Sequence, residues 1–438
     1  MTMRGVVQGL LMAASCAALA GCNLTQTAPM SVTGAALHGS VLGGQQPIAG
    51  STLQLYAAGS TGYGSGYAYS TGTSLFGNNV VTTDATGSFG FTGDYTCPSA
   101  STEVYLVATG GVPIPGYPAN TRIGLMAPLG PCGNLSDATR ITINELTTVA
   151  GVFALSGFMT DTAHIGTSAT NAQGLTLAFA KVNKLVNTYY GQLPGPALPA
   201  GATLPVLKIN TIADMLAACI NSDGGTPGDA SNCGVLLGNT TVNGVVPQDT
   251  IAAALVMAQH PDISNDALIK LVGPTKPFSP ALTSAPNDFS LVVTYTGGGL
   301  STPTGLALDG AGNVWVANSG NNSVTKLDNT GAAVSPSGGY IAGPMNAPAA
   351  IAVDASGKAW VANSGNNTVT QLSADGATGT VFSGGGLSAP SSIAIDTSGT
   401  VWVANATGHG LTTISGANVA SRSAGGVSLP VAVAVNPK

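Results

Sequence analysis

The chain has 438 residues, of which 7% are charged and 44% are hydrophobic, and its formal net charge is −6 at pH 7. The acidic balance and the lack of a basic cluster exclude nucleic acid as the expected partner. The hydrophobic content excludes a chain that is disordered by composition, and the length leaves room for roughly two to four domains.

The first residues have the pattern of an export signal. Arg4 precedes a run of small and apolar residues, 5–19, which is too short to span a bilayer but typical of a signal-peptide core. The run ends in Leu19-Ala20-Gly21-Cys22, which resembles the lipobox of bacterial lipoproteins. This resemblance implies a signal peptide over 1–22 and a membrane anchor of acyl chains on Cys22. Because Asn23 follows in place of a retaining aspartate, the resemblance implies an outer-membrane lipoprotein if the envelope is Gram-negative. The alternative is an ordinary cleaved signal that contains Cys22 incidentally.

Four cysteines remain after the signal, an even number that suits an oxidising compartment. Three pairings are open, and proximity in sequence favours Cys97–Cys132 with Cys219–Cys233. A zinc site is the competing interpretation, but neither pair has the C-x₂₋₄-C spacing that is usual for zinc.

Residues 23–140 alternate short β-type runs with Gly, Ser and Asn turns, which predicts a β-sandwich domain. Strands are expected over 37–42, 52–56, 87–92 and 103–109. The loop 59–77 contains Tyr63, Tyr67 and Tyr69, which either stack on a sugar or are incidental to a surface loop.

Three segments of this region resemble the carboxypeptidase-regulatory-like domain. They are HGSVLGGQQPIAGSTLQLY from His38, TTDATGSFGFTG from Thr82 and VYLVA from Val104. The resemblance implies a small prealbumin-like or immunoglobulin-like sandwich that spaces or binds and does not catalyse.

Residues 141–273 have apolar residues at helical spacing, which predicts an α-helical domain. Helices are expected over 144–158, over 171–189, from an N-cap at Asn210, from about Asp249 to the helix-ending Pro261, and over 266–272. Residues 274–286 are rich in proline and are predicted to be a linker.

Residues 287–438 contain three copies of one segment. The copies are LALDGAGNVWVANSGNNSVTKL from Leu306, IAVDASGKAWVANSGNNTVTQL from Ile351 and IAIDTSGTVWVANATGHGLTTI from Ile393. Their tryptophans are 45 and 42 residues apart. A period of this length with several short strands per unit predicts β-propeller blades.

Each copy repeats three residues to which the pattern assigns structural roles. The aspartates are expected to open tight turns and accept backbone N–H groups two residues on, because Asp stabilises such turns. The tryptophans are expected to pack between neighbouring blades, and the asparagines to bond turn backbone. The residues are Asp309, Asp354 and Asp396; Trp315, Trp360 and Trp402; and Asn318, Asn363 and Asn405.

The phrase D-x-x-G-x-x-W-V-A-N resembles NHL-type repeats and, more loosely, streptogramin-lyase and gluconolactonase-like propellers. The resemblance implies a propeller scaffold that is shared by enzymes and binding proteins. After the third copy, PVAVAVN from Pro430 matches a fourth inner strand. Three arrangements are open for such an arc: two chains complete one ring, the helical domain covers the exposed faces, or the chain is a truncated relative of longer proteins.

The sequence offers little catalytic chemistry. The streptogramin-lyase resemblance implies a histidine base and acidic residues with a divalent metal, but the repeats contain no glutamate and one histidine, His409. His409 is therefore the one weak catalytic candidate, and we expect no cofactor and no metal. The favoured hypothesis is an exported, lipid-anchored protein that binds an extracellular or periplasmic protein or glycan. The alternative is a degenerate lyase or lactonase with a divalent metal.

Overall fold

The structure is a computed structural model, and it describes residues 30–64, 74–274, 276–408, 410–422 and 427–436. The sequence predictions for Cys22, Tyr67, Tyr69 and His409 lie outside these ranges. The described chain is mainly β, with several small sheets and few helices.

The N-terminal strands are β1 (Val32–Thr33), β2 (Leu37–Gly43), β3 (Gln46–Pro47), β4 (Thr52–Ala57), β5 (Val81–Thr82), β6 (Ser88–Phe91), β7 (Thr96–Cys97), β8 (Glu103–Thr109), β9 (Gly124–Pro131), β10 (Arg140–Ile143), β11 (Met159–Asp161) and β12 (His164–Ile165). The helices are α1 (Glu145–Leu155), α2 (Ala172–Leu185), α3 (Val206–Ile220), α4 (Asn232–Asn239), α5 (Thr250–Gln259) and α6 (Asp266–Ile269). The remaining strands are β13 (Ala202–Thr203), β14 (Thr294–Tyr295), β15 (Pro303–Leu308), β16 (Val314–Asn318), β17 (Ser323–Leu327), β18 (Pro348–Val353), β19 (Ala359–Asn363), β20 (Thr368–Leu372), β21 (Gly379–Phe382), β22 (Pro390–Ile395), β23 (Val401–Asn405), β24 (Leu411–Ser415) and β25 (Asn418–Arg422).

The chain divides into two compact units that interleave along the sequence. The first comprises the described residues within 1–180, 188–191 and 216–259, and the second comprises those within 181–187, 192–215 and 260–438. This division differs from the predicted boundaries after 140 and 273, because helices α1 and α5 pack on strand β9 within the first unit.

Two four-stranded sheets form most of the β part of the first unit, beside the two-stranded sheets β1-β7 and β11-β12. One has the strand order β5-β4-β8-β9, and in the other β10, β2 and β3 are neighbours and β6 pairs with β2. Every second residue of β2 and β4 is buried, as alternating sequences require. The four strands predicted from alternation are confirmed.

Strands β9 and β10 were not predicted. Strand β8 is buried along nearly its whole length, and β9 is buried on both faces. Because helices cover β9, its apolar residues run continuously and lack the alternation that marks a half-buried strand. Strand β10 pairs in parallel with β2, about a hundred residues earlier in sequence, a pairing that no local pattern can reveal.

The helices follow the predicted stripes, with two differences. Asn144 is the N-cap of α1, and its side chain accepts the Thr147 N–H. The prediction that Asn210 caps the third helix is wrong, because α3 already begins at Val206 and the Asn210 amide donates to the Pro280 carbonyl over 2.9 Å. Helix α4 was not predicted.

The predicted linker 274–286 contacts helix α3 within the second unit. The Phe278 N–H donates to Asp214 over 3.0 Å, the Leu282 N–H donates to Thr211 over 2.8 Å, and the Phe278 side chain is buried. The proline-rich segment is therefore irregular but packed, because side chains of α3 accept hydrogen bonds from its backbone N–H groups.

The four described cysteines form two disulfides, Cys97–Cys132 and Cys219–Cys233. These are the pairs that proximity in sequence favoured. A disulfide leaves no thiolate for metal binding, so these cysteines do not form the zinc site that was considered.

The repeats form three blades with the same strand register. The first blade is the sheet β15-β16-β17, the second is β18-β19-β20-β21 and the third is β22-β23-β24-β25. In each blade the first strand (β15, β18 or β22), here called the inner strand, pairs antiparallel with the second strand, which carries the repeated tryptophan. The proline that begins the inner strand lies opposite the asparagine that ends the tryptophan strand. The three predicted propeller blades are confirmed.

The segment 427–436 lies beside the third blade in the position of a further inner strand. The Ser391 hydroxyl donates to the Pro430 carbonyl, just as the Thr304 hydroxyl of the first blade donates to the Pro348 carbonyl of the second. The PVAVAVN match predicted this position, but the segment is not one of the β-strands of the structure.

Within the described ranges, no helix is long and apolar enough to cross a membrane.

Candidate binding surface

The repeated aspartates are anchored in their own turns. In each blade the Oδ1 atom accepts the backbone N–H groups two and four residues further on, over 2.9 to 3.0 Å. This is the turn role that the repeat predicted, and it occupies one carboxylate oxygen completely.

The second carboxylate oxygen binds the repeated tryptophan. The indole Nε1 donates to Oδ2 over 3.1 Å for Trp315 and Asp309, 2.9 Å for Trp360 and Asp354, and 2.9 Å for Trp402 and Asp396. This bond was not predicted, although the constant six-residue spacing between the aspartate and the tryptophan is its signal in the sequence.

These bonds lower the pKa of the aspartates. Burial alone would raise the pKa of Asp309, but hydrogen bonds from Asn313, Trp315 and Ala311 outweigh it and bring the pKa to about 2. Bonds from Ser398 and Trp402 lower the pKa of Asp396 to about 2 as well. A carboxylate with such a low pKa is a poor general base near neutral pH, because catalytic bases are tuned towards the working pH.

The tryptophan rings pack between blades. Trp315 shares a buried cluster with Ile351 and Val361 of the second blade, and Trp360 shares one with Ile393 and Val403 of the third. The inner strand of each following blade thus covers the tryptophan face of the blade before it.

The first blade adds a cation to this arrangement. The Lys326 ammonium lies 4.5 Å from the centre of the Trp315 ring and 3.6 Å from Asp309 Oδ2. It also donates to the Ala374 carbonyl of the second blade over 2.9 Å. Because these contacts satisfy the ammonium, Lys326 links two blades and is not available as a free charge.

The asparagines at the ends of the tryptophan strands are also structural. Asn318 and Asn405 accept the backbone N–H of Ser301 and Ser388, which precede the inner strands. Asn363 donates to Thr370, but its Oδ1 is buried and has no hydrogen-bond partner among the described residues.

A second pair of asparagines joins consecutive blades. Asn322 and Asn367 have positive φ, and their Oδ1 atoms accept the N–H of Ala347 and Ala389 at 2.8 and 2.7 Å. In both bonds the donor belongs to the following blade and directly precedes the proline that begins its inner strand. In the third copy the corresponding position is His409.

The inner strand of the first blade carries two exposed apolar side chains. Leu306 and Leu308 are 71% and 62% exposed, whereas Ile351 and Ile393, which correspond to Leu306, are 7% and 8% exposed. The difference arises because a preceding blade covers the second and third inner strands. The first inner strand, β15, therefore presents an apolar surface of the kind found at binding sites.

The remaining histidines do not converge on the repeats. His164 pairs with Asp161 over 2.7 Å in the first unit, and His38 and His260 lie in other segments. Throughout the described part of the chain, no three His, Cys, Asp or Glu side chains are grouped so that they could hold a metal ion.

A family model described as "NHL repeat" matches residues 300–327. No curated protein matches the chain. Among solved structures, a streptogramin B lyase is 19% identical over 31% of this chain and 45% of that chain, with a TM-score of 0.27. A catalytically inactive virginiamycin B lyase from Staphylococcus aureus with quinupristin is 15% identical over 30% and 44%, with a TM-score of 0.27.

A nidogen/laminin complex is 18% identical over 30% of this chain and 52% of that chain, with a TM-score of 0.27. The chain thus spans about half the length of the solved structures that it matches. From the matched residues and the register that all three blades share, this is a mainly β chain with an NHL repeat at 300–327 and two further blades of the same geometry.

Proposed function

We propose that the protein is an exported, lipid-anchored binding protein of the cell envelope, and that its blades recognise an extracellular or periplasmic protein or glycan. The membrane partner is reached through the acyl chains on Cys22, and the outer membrane is the location that Asn23 favours. Neither catalysis nor a cofactor is part of this proposal.

The binding part of the proposal rests on the structural roles of the polar residues in the repeats. Each repeated aspartate is engaged by turn N–H groups and an indole N–H, so the residues that invite a catalytic interpretation already stabilise the fold. The exposed side chains of the first blade include two large apolar ones, Leu306 and Leu308. Exposed apolar side chains suit recognition by contact and offer no proton donor or acceptor for turnover.

The anchor is tested by labelling cells that express the chain with a radioactive or alkynyl palmitate. We expect label in the wild-type protein and none in Cys22→Ala, whereas Cys16→Ala keeps it and serves as the matched control. Equal labelling of the wild type and Cys22→Ala would contradict the anchor.

The binding surface is tested by site-specific photo-crosslinking in the cells that make the protein. A photoreactive residue in place of Leu306 should give a discrete adduct that Leu308→Ser weakens. The same residue in place of Ile341, which is also 71% exposed, should not give it. Identical adducts from both sites would contradict a specific surface on the first blade.

Turnover is the outcome that would overturn the proposal in favour of a lyase or lactonase. Quinupristin, which the virginiamycin B lyase structure contains, is the test substrate, with added magnesium and with a chelator. We expect no consumption in either condition. Consumption that needs the metal and is lost in His409→Ala would establish the enzymatic alternative.

A further inference from the structure

A cavity of about 570 Å³ lies in the first unit where strands β2 and β6 meet. Leu37, which opens β2, pairs with Phe91, which ends β6, and both line the cavity. Its volume lies within the range of about 300–1,000 Å³ that is usual for small-ligand sites. Nothing in the sequence motifs or the blades accounts for it.

The apolar side of the cavity is a fixed aromatic surface. The rings of Phe76 and Phe91 meet edge to face with their centres 4.5 Å apart, and Tyr95 lies edge-on to Phe91 at 5.9 Å. Phe76 is 5% exposed and Phe91 is half-buried. Because its neighbours hold it, the Phe91 ring can present a face to a ligand without losing much rotamer entropy on binding.

The polar side of the cavity offers hydrogen-bonding groups that are not spent on the fold. His38 and Asn79 are exposed, and their side chains form no hydrogen bond with any described residue. Asp94 Oδ2 accepts the Thr92 hydroxyl over 2.9 Å, which leaves the other oxygen of that carboxylate for a ligand.

The combination of these groups selects a class of ligand. The lining contains no lysine or arginine and one carboxylate, so an anionic ligand would lack a cation to pair with. A purely apolar ligand would take His38, Asn79 and Asp94 out of water without replacing their hydrogen bonds, which costs free energy. A neutral sugar has apolar C–H faces that fit aromatic rings and hydroxyls that both donate and accept.

We propose that this cavity binds a neutral saccharide, with one sugar ring against Phe91 and its hydroxyls hydrogen-bonded by His38, Asn79 and Asp94. The site is built from residues of the first unit alone and does not depend on the blade surface proposed above. It adds a saccharide site in the N-terminal sheets to the surface proposed for the blades.

Gly90 allows a test in which the fold is preserved. It lies opposite His38 in the β2–β6 ladder and lines the cavity. The nearest atom to a Cβ placed there is the Leu37 carbonyl oxygen at 4.0 Å, so a side chain fits without displacing the protein. Gly90→Val should therefore fold normally, since valine also favours strands, and should fill the cavity.

The experiment is isothermal titration of the full chain with cellotriose, maltotriose and chitotriose, and with sialyllactose as an anionic comparison. We expect at least one neutral trisaccharide to bind, and at least tenfold weaker binding in Gly90→Val, Asn79→Ala and His38→Ala. Asn78→Ala and His260→Ala, which change exposed residues outside the cavity, should bind like the wild type. Leu308→Ser should also bind the sugar normally, which separates this proposal from the one about the blades.

Three results would overturn the proposal: no binding of any neutral trisaccharide, binding that Gly90→Val leaves unchanged, or a preference for sialyllactose. Thermal unfolding of each variant is measured in parallel, so that weaker binding is scored only where the melting temperature matches that of the wild type. Phe91→Leu, which keeps an apolar side chain but removes the ring, should weaken binding at unchanged melting temperature.

Discussion

The indole Nε1 of Trp360 donates a hydrogen bond to Asp354 Oδ2 over 2.9 Å, and the same bond recurs in the blades on either side. The bond joins the turn of a blade to the ring that the next blade covers. Because the same residue pair stabilises a turn and a contact between blades, the conformation of each blade depends on the conformation of its neighbour.

Trp360→Phe should keep most of the ring packing and remove only this bond. We expect the free energy of unfolding to fall by about 1–2 kcal/mol, because a hydrogen bond to a charged group contributes about 1.5–3 kcal/mol and solvent screens part of it at the half-buried Asp354. Urea unfolding of Trp360→Phe, Asp354→Ala and the double variant gives the coupling energy between the two side chains. Additive losses would contradict a direct bond.

The low pKa of Asp309 predicts loss of stability in acid. Because hydrogen bonds lower its pKa from 3.8 to about 2 in the folded chain, its contribution is fully present above the unfolded value and is lost as the pH falls through about 2. Unfolding free energy measured between pH 5 and pH 2 should decline less steeply in Asp309→Asn than in the wild type. Parallel curves would show that Asp309 does not contribute.

The raised pKa of Glu103 predicts that stability decreases as the pH rises towards neutrality and beyond. Glu103 is 5% exposed, and burial raises its pKa from 4.5 to about 7, although a hydrogen bond with Thr176 acts in the opposite direction. The folded chain then binds the proton more tightly than the unfolded chain, so this stability is present below pH 4.5 and is lost as the pH rises through about 7.

Glu103→Gln should remove that pH dependence. Between pH 5 and pH 8 the wild-type melting temperature should fall relative to that of the variant, and the variant should be the more stable protein at pH 8. Asp137→Asn, at an exposed carboxylate of the same unit, is the control and should follow the wild type. A constant difference between Glu103→Gln and the wild type across this range would contradict the prediction.

The two equivalent apolar positions Leu306 and Ile351 should respond differently to the same change. Ile351 is 7% exposed and packs against Trp315, so Ile351→Ala should lower the free energy of unfolding by about 2–4 kcal/mol. Leu306 is 71% exposed, and Leu306→Ala should change it by less than about 0.5 kcal/mol. Equal losses in urea unfolding would mean that β15 is covered in solution.

Local patterns were sufficient for the blades. The period of the tryptophans and the Asp-x-x-Gly turns predicted three blades, because in a repeat every strand pairs with a neighbour close in sequence. The strands at 37–42 and 103–109 were predicted for the same local reason, since alternation or β-branched content marks them directly.

The sequence by itself thus determined the elements whose partners are near in the chain: the blades, their aspartate turns and the amphipathic helices. Tertiary structure alone decided the parallel pairing of β10 with β2, the packing of α1 and α5 on β9, and the cavity between His38, Asn79 and Phe91. It also decided which of two like residues, Leu306 or Ile351, is buried. In each case the burial of a residue depends on which distant parts of the chain pack against it. Residue type and spacing along the sequence do not specify those contacts.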